Sequence, residues 1–376
     1  MAVLETLEGW DRVIEIPMNE ACSAFDCCRR TRIRRGSARD GPTNQVTGAA
    51  CSIRFRNPVD LESELGISKV RQLWRVTNPK IFASTILAAA DQLRVQPIAV
   101  EKDYWVCEAL RVLEEHYPQS LIIKGGTSLE KLRLVQPFSE DLDLLITEDF
   151  GGNSATSTGL RAMCETAATE IGAQIEHDDS GSKVPDRWKR AYLHLPFANK
   201  LPQQIGVVDA GRILLELSQT GGRHPNDVRE ISSLLSRQLA AASYPVSDFA
   251  NLRPFAVQVL HPGRTLIEKL LRVNNFTVRE KSHDDIHGCP RIGRQFYDIW
   301  ALLGSSEVLA FLTDLAHSRE VLADCLRVSK PFQEDEPVPI GSFAKTLAFD
   351  ASWPLAAQLQ AEHDSAMRDL YYGSVP

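Results

Sequence analysis

The sequence lacks the features that mark several classes of protein. None of its eight cysteines is spaced from another in the Cys-x-x-Cys pattern of a zinc or redox site. No apolar run approaches the roughly 18 residues that a membrane-spanning helix requires, and the N-terminus lacks the basic and then apolar segments of a signal peptide. We therefore expect reduced thiols, no association with a membrane and a cytoplasmic location.

A general excess of basic charge is also missing. The formal net charge is −7, so a contact with nucleic acid would need a local basic patch. The hydrophobic content of 43% and the charged content of 24% are those of an ordinary globular protein. A chain of 376 residues is longer than one typical domain, which predicts two or three compact units.

The first 60 residues differ from the rest because basic residues crowd a stretch without sustained periodicity. The arginines of this stretch are Arg29, Arg30, Arg32, Arg34, Arg35 and Arg39. Their density predicts a poorly ordered basic leader over residues 1–60. An arm that contacts RNA phosphates and a non-functional leader from an upstream start site are the alternatives.

The most informative segment is residues 121–146, in which two short predicted strands flank a helix. Residues 121–123 form an apolar run that stops at Gly125 and Gly126, and residues 141–146 begin with two acids at alternate positions. Leucines among charged residues predict a helix over residues 127–134, opened by a Thr or Ser cap.

The residue types in this segment suit a metal-bound nucleoside triphosphate. Alternation along a strand puts the Asp141 and Asp143 side chains on one face, where they would repel each other unless a divalent cation lay between them. Their hard oxygen atoms suit Mg²⁺. The glycine pair lets backbone N–H groups approach a polyphosphate, at the positive end of the next helix. A plain turn followed by a solvated or capping pair of acids is the alternative.

Three further candidates lie later in the chain. Glu216 is the one acid in a predicted strand over residues 211–218, and two-metal chemistry would use it as a third carboxylate. Asp209 competes for that role, and a merely exposed acid is the other reading of Glu216. Lys269 lies among apolar residues of a predicted helix, either facing solvent or directing its charge at a triphosphate. Arg294 and Asp298 have the i, i+4 spacing of an ordinary helical ion pair.

Two other charged groups are less specific. Glu101, Lys102 and Asp103 are predicted to form the charged first turn of a helix over residues 98–115. A polar, loop-like segment over residues 178–190 contains a basic cluster that is a candidate groove for RNA, formed by Lys183, Arg187, Lys189 and Arg190.

Taken together, these motifs resemble the AbiE-type toxin nucleotidyltransferases (AbiEii/AbiGii and MenT-like) of bacterial toxin–antitoxin systems. The resemblance covers roughly residues 80–373 and rests on several segments in the family's order. These are Glu101-Lys-Asp-Tyr-Trp105, Lys124-Gly-Gly-Thr-Ser-Leu129, Phe138-Ser-Glu-Asp-Leu-Asp-Leu144, Leu215-Glu216-Leu217, Arg264-Thr-Leu-Ile-Glu-Lys269 and Arg294-Gln-Phe-Tyr-Asp298.

The resemblance implies an α/β (α+β) protein with a nucleotidyltransferase-fold lobe containing a mixed sheet over residues 61–225. A mostly helical C-terminal lobe over residues 226–376 would follow. It also implies transfer of a nucleoside monophosphate from an NTP to RNA, with the 3′ acceptor end of tRNA as the expected target and blocked translation as the effect. A cognate antitoxin, of DNA-binding or kinase type, is the implied protein partner.

The same resemblance, combined with the chemistry above, assigns roles to individual residues. The catalytic group comprises Asp141, Asp143, Lys269 and Asp298. The metal ligands for Mg²⁺ comprise Asp141, Asp143 and Glu216. The nucleotide-binding group comprises Lys124, Gly125, Gly126, Thr127, Ser128, Ser139 and Arg294. The resemblance also implies that Ser139 is a phosphorylation site at which modification inactivates the toxin, since negative charge there would block triphosphate binding.

Two other functions remain open at this stage. The first is a nucleotidyltransferase that acts on a protein hydroxyl or on a small molecule such as an antibiotic. The second is a nucleotide-binding regulator without catalysis, which the intact Asp141, Asp143 and Lys269 argue against.

Overall fold

The computed structural model describes residues 72–135, 141–178, 180, 185–198, 211–280, 292–330 and 343–370. The predicted basic leader, Ser139, Lys183 and Asp209 lie outside these residues. Within them, no helix is both long and apolar enough to cross a membrane.

A mixed sheet of seven strands lies at the centre of the described N-terminal half. Its strands are β1 (Leu121–Ile123), β2 (Asp141–Ile146), β3 (Gln174–Asp178), β4 (Trp188–His194), β5 (Arg212–Ser218), β6 (Asn226–Ile231) and β7 (Phe255–Leu260). Their order across the sheet is β3-β4-β5-β2-β1-β7-β6. The pairs β2–β5 and β1–β7 are parallel, and the other pairs are antiparallel. The mixed α/β fold predicted from the sequence is therefore confirmed.

Eleven α-helices occur in the described ranges. They are α1 (Trp74–Thr77), α2 (Pro79–Leu93), α3 (Pro97–His116), α4 (Gly125–Lys131), α5 (Asn153–Ile171), α6 (Leu234–Ala241), α7 (Pro262–Glu280), α8 (Ile292–Leu303), α9 (Ser306–Thr313), α10 (Leu315–Ser329) and α11 (Ala356–Leu370). Proline opens α2 and α3, where its missing N–H costs no helical hydrogen bond. Gly172 ends α5 in a left-handed conformation, as a C-terminal glycine commonly does.

The described residues form two large apolar cores, with α4 between them, and a small cluster of Ile122, Leu145 and Leu260. The first core packs helices α2, α3, α5 and α6 on one face of the sheet. The second joins helices α7 to α11 and also includes Leu129 of α4 and the nearby Val135. The short helix that follows β1 therefore packs against the C-terminal helices, while its first residues stay close to the sheet.

The sheet extends further along the chain than the predicted boundary at residue 225. Strands β6 and β7 pair with each other, and β7 also pairs with β1 through Ile122 and Gln258. The mostly helical part thus begins after Leu260. A division of the chain into the three predicted segments stays a prediction.

Two local predictions are wrong in their details. Helix α4 begins at Gly125 instead of Thr127, and the residue before it, Lys124, makes no side-chain cap hydrogen bond. The predicted Thr or Ser cap fails because both hydroxyls bond to backbone carbonyls instead. Strand β4 starts at Trp188 and β3 ends at Asp178, so the segment predicted as a loop overlaps two strands.

Candidate active site

Three acids of the predicted metal site lie on neighbouring strands of the sheet. Asp141 and Asp143 are two residues apart on β2, so their side chains leave the same face of the strand. The parallel register of β2 and β5 places Glu216 directly beside Asp143. The sequence predicted this grouping from residue type alone, and the register of β2 and β5 shows that Asp143 and Glu216 occupy paired positions.

The electrostatic environment of Glu216 reflects these neighbours. Burial raises the pKa of its carboxyl to about 7, and repulsion from Asp143 and Asp141 adds to the effect. Lys124 and Arg190 act in the opposite direction but do not cancel the shift. The face therefore has an excess of negative charge that a divalent cation would neutralise.

Lys124 is the cation closest to the β2 acids in the described contacts. Its Nζ lies 3.3 Å from Oδ1 of Asp143, and its backbone N–H donates to the Asp143 carbonyl at 3.1 Å. Asp143 raises the pKa of Lys124, and Glu268 on α7 and Glu216 raise it further. The C-terminal helices thus contribute a charged group to the surroundings of this site.

The glycine turn before α4 packs tightly against Asp143. Gly125 has a φ of +66°, a left-handed conformation that residues with a Cβ rarely adopt. A Cβ at this position would also lie only 2.9 Å from Oδ2 of Asp143. Thr127 donates its hydroxyl to the Asp141 carbonyl, and Ser128 donates to the Gly125 carbonyl at 2.8 Å. The turn and the two acids are therefore packed together, and Gly126 lies in the first turn of α4.

Lys269 and Asp298 form a buried pair between α7 and α8. Nζ of Lys269 lies 2.7 Å from Oδ2 of Asp298 and 2.9 Å from Oε1 of Gln295. Arg294 is less close, with its Nε 3.9 Å from the same carboxylate oxygen. Burial lowers the pKa of Lys269, and Asp298 opposes this shift. The proximity of this pair to Asp141 and Asp143 stays a prediction.

Asp298 and Arg294 each keep one buried polar atom without a hydrogen-bond partner in the described part of the chain. These atoms are Oδ1 of Asp298 and Nη2 of Arg294. Unpaired buried donors and acceptors are uncommon in folded proteins, and a bound substrate is one way to satisfy them. The assignment of both residues to the candidate site stays a prediction.

The charged triplet at the start of α3 is a feature that sequence reasoning interpreted wrongly. Glu101, Lys102 and Asp103 are fully buried, whereas the sequence indicated an ordinary charged first turn. Asp103 accepts hydrogen bonds from Lys131 of α4 at 2.7 Å and from the backbone N–H of Leu234 at 2.5 Å. The apolar residues on both sides of the triplet are the feature of the sequence that could have indicated its burial.

Among the described members of the basic cluster predicted as an RNA groove, most are not exposed. Lys189 is buried. Arg190 donates from Nε to Asp178 at 2.9 Å, and its Nη1 lies 3.6 Å from Glu216. Only Arg187 of the described members is exposed, and it contacts Asn153. Arg190 instead balances the charges of two acids in the sheet, Asp178 and Glu216.

Another group of potential metal ligands lies away from β2. Asp227, His261 and Glu307 place one ligand atom each within 4.8 Å of one another. Arg229 contacts both carboxylates, and Nδ1 of His261 accepts from the N–H of Gly263 at 3.1 Å. Their charges and lone pairs are thus already paired, and we interpret the group as an ion-pair cluster.

Comparison with known proteins gives a family for this arrangement. The model of the nucleotidyl transferase AbiEii toxin family, described as a type IV toxin–antitoxin system, matches residues 109–375. No curated protein matches the chain.

Two solved structures resemble the chain at low sequence identity. The nucleotidyltransferase toxin MenT4 from Mycobacterium tuberculosis H37Rv is 15% identical, with 76% of this chain and 87% of that chain covered and a TM-score of 0.42. The protein JHP933 from Helicobacter pylori is 14% identical, with 77% and 94% covered and a TM-score of 0.30. Because the family model spans more than half of the sequence, the chain belongs to the AbiEii nucleotidyltransferase toxin family.

Proposed function

We propose that this protein transfers a nucleoside monophosphate from an NTP to an RNA end, with the 3′ acceptor end of tRNA as the target. The observation that most supports this proposal is the register that pairs Asp143 with Glu216 beside the glycine turn. It groups carboxylates and a close backbone approach at one place, as a metal–triphosphate site requires.

The acids fit Mg²⁺ by their chemistry and their charge. Asp141, Asp143 and Glu216 offer only oxygen ligands, and the pKa of Glu216 is raised by burial and by repulsion from Asp143 and Asp141. When bound there, Mg²⁺ would neutralise the triphosphate and lower the pKa of the attacking 3′-hydroxyl. The hydroxyl oxygen forms an ester bond to the α-phosphorus as the bond to the β-phosphate breaks, and pyrophosphate leaves.

The other residues of the site bind and orient the substrate in this proposal. Backbone groups of Gly125, Gly126, Thr127 and Ser128 contact the phosphates. Lys124, whose Nζ lies 3.3 Å from Asp143, would be close enough to bind a phosphate oxygen of a nucleotide held at these acids.

The buried pair on the C-terminal helices is proposed to act on the leaving group. Lys269 stabilises the negative charge that grows on pyrophosphate, while Asp298 fixes the position of its ammonium at 2.7 Å. Arg294 and Ser139 complete the proposed nucleotide contacts. Phosphorylation of Ser139 would place two negative charges near the metal site and so exclude the triphosphate.

The family also supports a regulatory partner. A type IV toxin–antitoxin system includes a cognate antitoxin, and we propose that this partner is of the DNA-binding or the kinase type. A protein or small-molecule acceptor remains the second candidate function, because Lys189 is buried and Arg190 is paired with acids among the described members of the predicted basic groove.

Two experiments test the proposal. The first incubates the protein with each labelled NTP in turn, with and without total tRNA, and we expect a labelled RNA with at least one nucleotide. Label found only in protein or in a small molecule would favour the second candidate.

The second experiment expresses the protein in bacteria without a partner. Growth should stop with the natural sequence and continue with the Asp141→Ala variant. Unimpaired growth with both proteins, at equal soluble expression, would contradict the assignment as a toxin.

A further inference from the structure

The glycine turn depends on a helix too short to be stable alone. Helix α4 has seven residues, and isolated helices of that length do not persist in water. Its first residues touch both β2 acids, through the Thr127 hydroxyl and the packing of Gly125 on Asp143. The position of α4 therefore decides where the turn lies relative to Asp141 and Asp143.

The far end of α4 is fixed by a buried charge network. Nζ of Lys131 donates to Oδ1 of Asp103 at 2.7 Å, and both side chains are completely inaccessible to solvent. The other oxygen of Asp103 accepts from the backbone N–H of Leu234, at the start of α6. One carboxylate thus joins three helices: α3, α4 and α6.

A second cation supports the same junction. Nη1 of Arg133 lies 3.1 Å from Glu130, and its Nη2 donates to the carbonyl of Ser232 at 3.2 Å. The network therefore contains two acids, Asp103 and Glu130, and two cations, Lys131 and Arg133. Because each oxygen of Asp103 accepts from a donor on a different helix, this carboxylate ties the end of α4 to α3 and α6.

We propose that Asp103 is a positioning residue for nucleotide binding, which acts by fixing α4 and hence the Gly125 turn against Asp143. This inference rests on the proposed function of the turn. Asp103 does not touch the substrate. Its effect reaches the site along α4, because Asp103 holds Lys131 at the end of that helix and Gly125 lies at its start.

The chemistry of the junction requires a carboxylate. Both oxygens of an ionised aspartate accept hydrogen bonds, whereas an asparagine offers one acceptor and one N–H₂ donor. An amide at position 103 can accept from Lys131 or from the N–H of Leu234, but not from both. The other donor would then face the N–H₂ group, and one of the two links to Asp103 would break.

The test compares Asp103→Asn, Lys131→Met and the double variant for binding of a non-transferable NTP analogue with Mg²⁺. We expect each single variant to raise the analogue Kd by about tenfold. Because the two residues act as one unit, the double variant should bind no worse than the weaker single variant. In the transfer reaction the nucleotide KM should rise while kcat changes much less.

Glu108→Gln is the matched control, since it removes an equally buried carboxylate from the same helix. Glu108 pairs with Arg75 of α1 and with Arg111 of α3, whereas Asp103 pairs with Lys131 of α4. Thermal melts identify a temperature at which all variants are folded. The control should lose stability but keep the analogue Kd of the natural sequence.

The outcomes separate this inference from the proposed function. Failure of the natural sequence to bind the analogue would overturn the proposed function and the inference with it. Normal binding by the natural sequence together with unchanged binding by Asp103→Asn would overturn the inference alone. An equal loss of affinity in Glu108→Gln would also overturn it, because general destabilisation would then explain the effect.

Discussion

Replacing Glu216 with glutamine should remove a pH dependence from the stability of the metal-free protein. The pKa of Glu216 is raised to about 7 from an ordinary value of 4.5 because the carboxyl is buried beside Asp143 and Asp141. Between those two pH values the folded protein keeps a proton that the unfolded chain has lost. The stability that the folded protein gains by keeping this proton is therefore fully present below pH 4.5, and it is lost as the pH rises through 7.

The size of the expected change in unfolding free energy follows from the shift in the pKa of Glu216. Each pKa unit corresponds to about 1.4 kcal/mol, and the side chain is partly open to solvent, so we expect roughly 2 to 3 kcal/mol at full ionisation. The Glu216→Gln variant cannot ionise at this position. Relative to the natural sequence, its free energy of unfolding should therefore rise by about that amount between pH 4 and pH 8.

Urea denaturation in EDTA at several pH values measures this difference directly. All other titrating groups are shared by the two proteins, so their contributions cancel in the comparison. Added Mg²⁺ should stabilise the natural sequence at pH 8 more than the variant, because it neutralises the ionised carboxylates. Parallel stability curves for the two proteins across this pH range would refute the reasoning about the acidic face.

Three further substitutions have expected results. Gly125→Ala should abolish transfer and lower the free energy of unfolding by about 1–2 kcal/mol, because position 125 has a left-handed backbone and contacts Asp143. Gly211→Ala is the control in activity and melting assays, since a Cβ at position 211 would meet open space. Asp141→Ala should abolish transfer yet leave the metal-free melting temperature unchanged or higher, since a repelling charge is removed. Lys269→Arg should raise the nucleotide KM and lower kcat in steady-state kinetics, because a planar guanidinium does not replace a compact ammonium; full activity would contradict the role of Lys269.

The central β1–α4–β2 unit could be predicted because its signals are local. An apolar run, a glycine pair and alternating acids all lie within residues 121–146. Strands β3 and β6 were not predicted, because they lie at the two edges of the sheet and carry polar side chains. Edge strands of this kind have little of the apolar alternation on which sequence reasoning depends.

The candidate site was only partly accessible from sequence for a related reason. Glu216 could be proposed by residue type, but its position beside Asp143 depends on the register of two strands about 70 residues apart in sequence. Asp103 was misread because its partners, Lys131 and Leu234, come from distant parts of the chain. A charged residue is stable in a core only when such partners exist, and a local pattern does not contain them.

The most direct test of nucleotidyl transfer follows the two ends of the triphosphate separately. The protein is incubated with RNA, Mg²⁺ and an NTP labelled at either the α- or the γ-phosphate, beside the Asp143→Asn variant. We expect RNA labelled from the α-phosphate only, release of pyrophosphate, and no product with EDTA or with the variant. Label in the RNA from the γ-phosphate, or equal α-label with Asp143→Asn, would contradict nucleotidyl transfer at these acids.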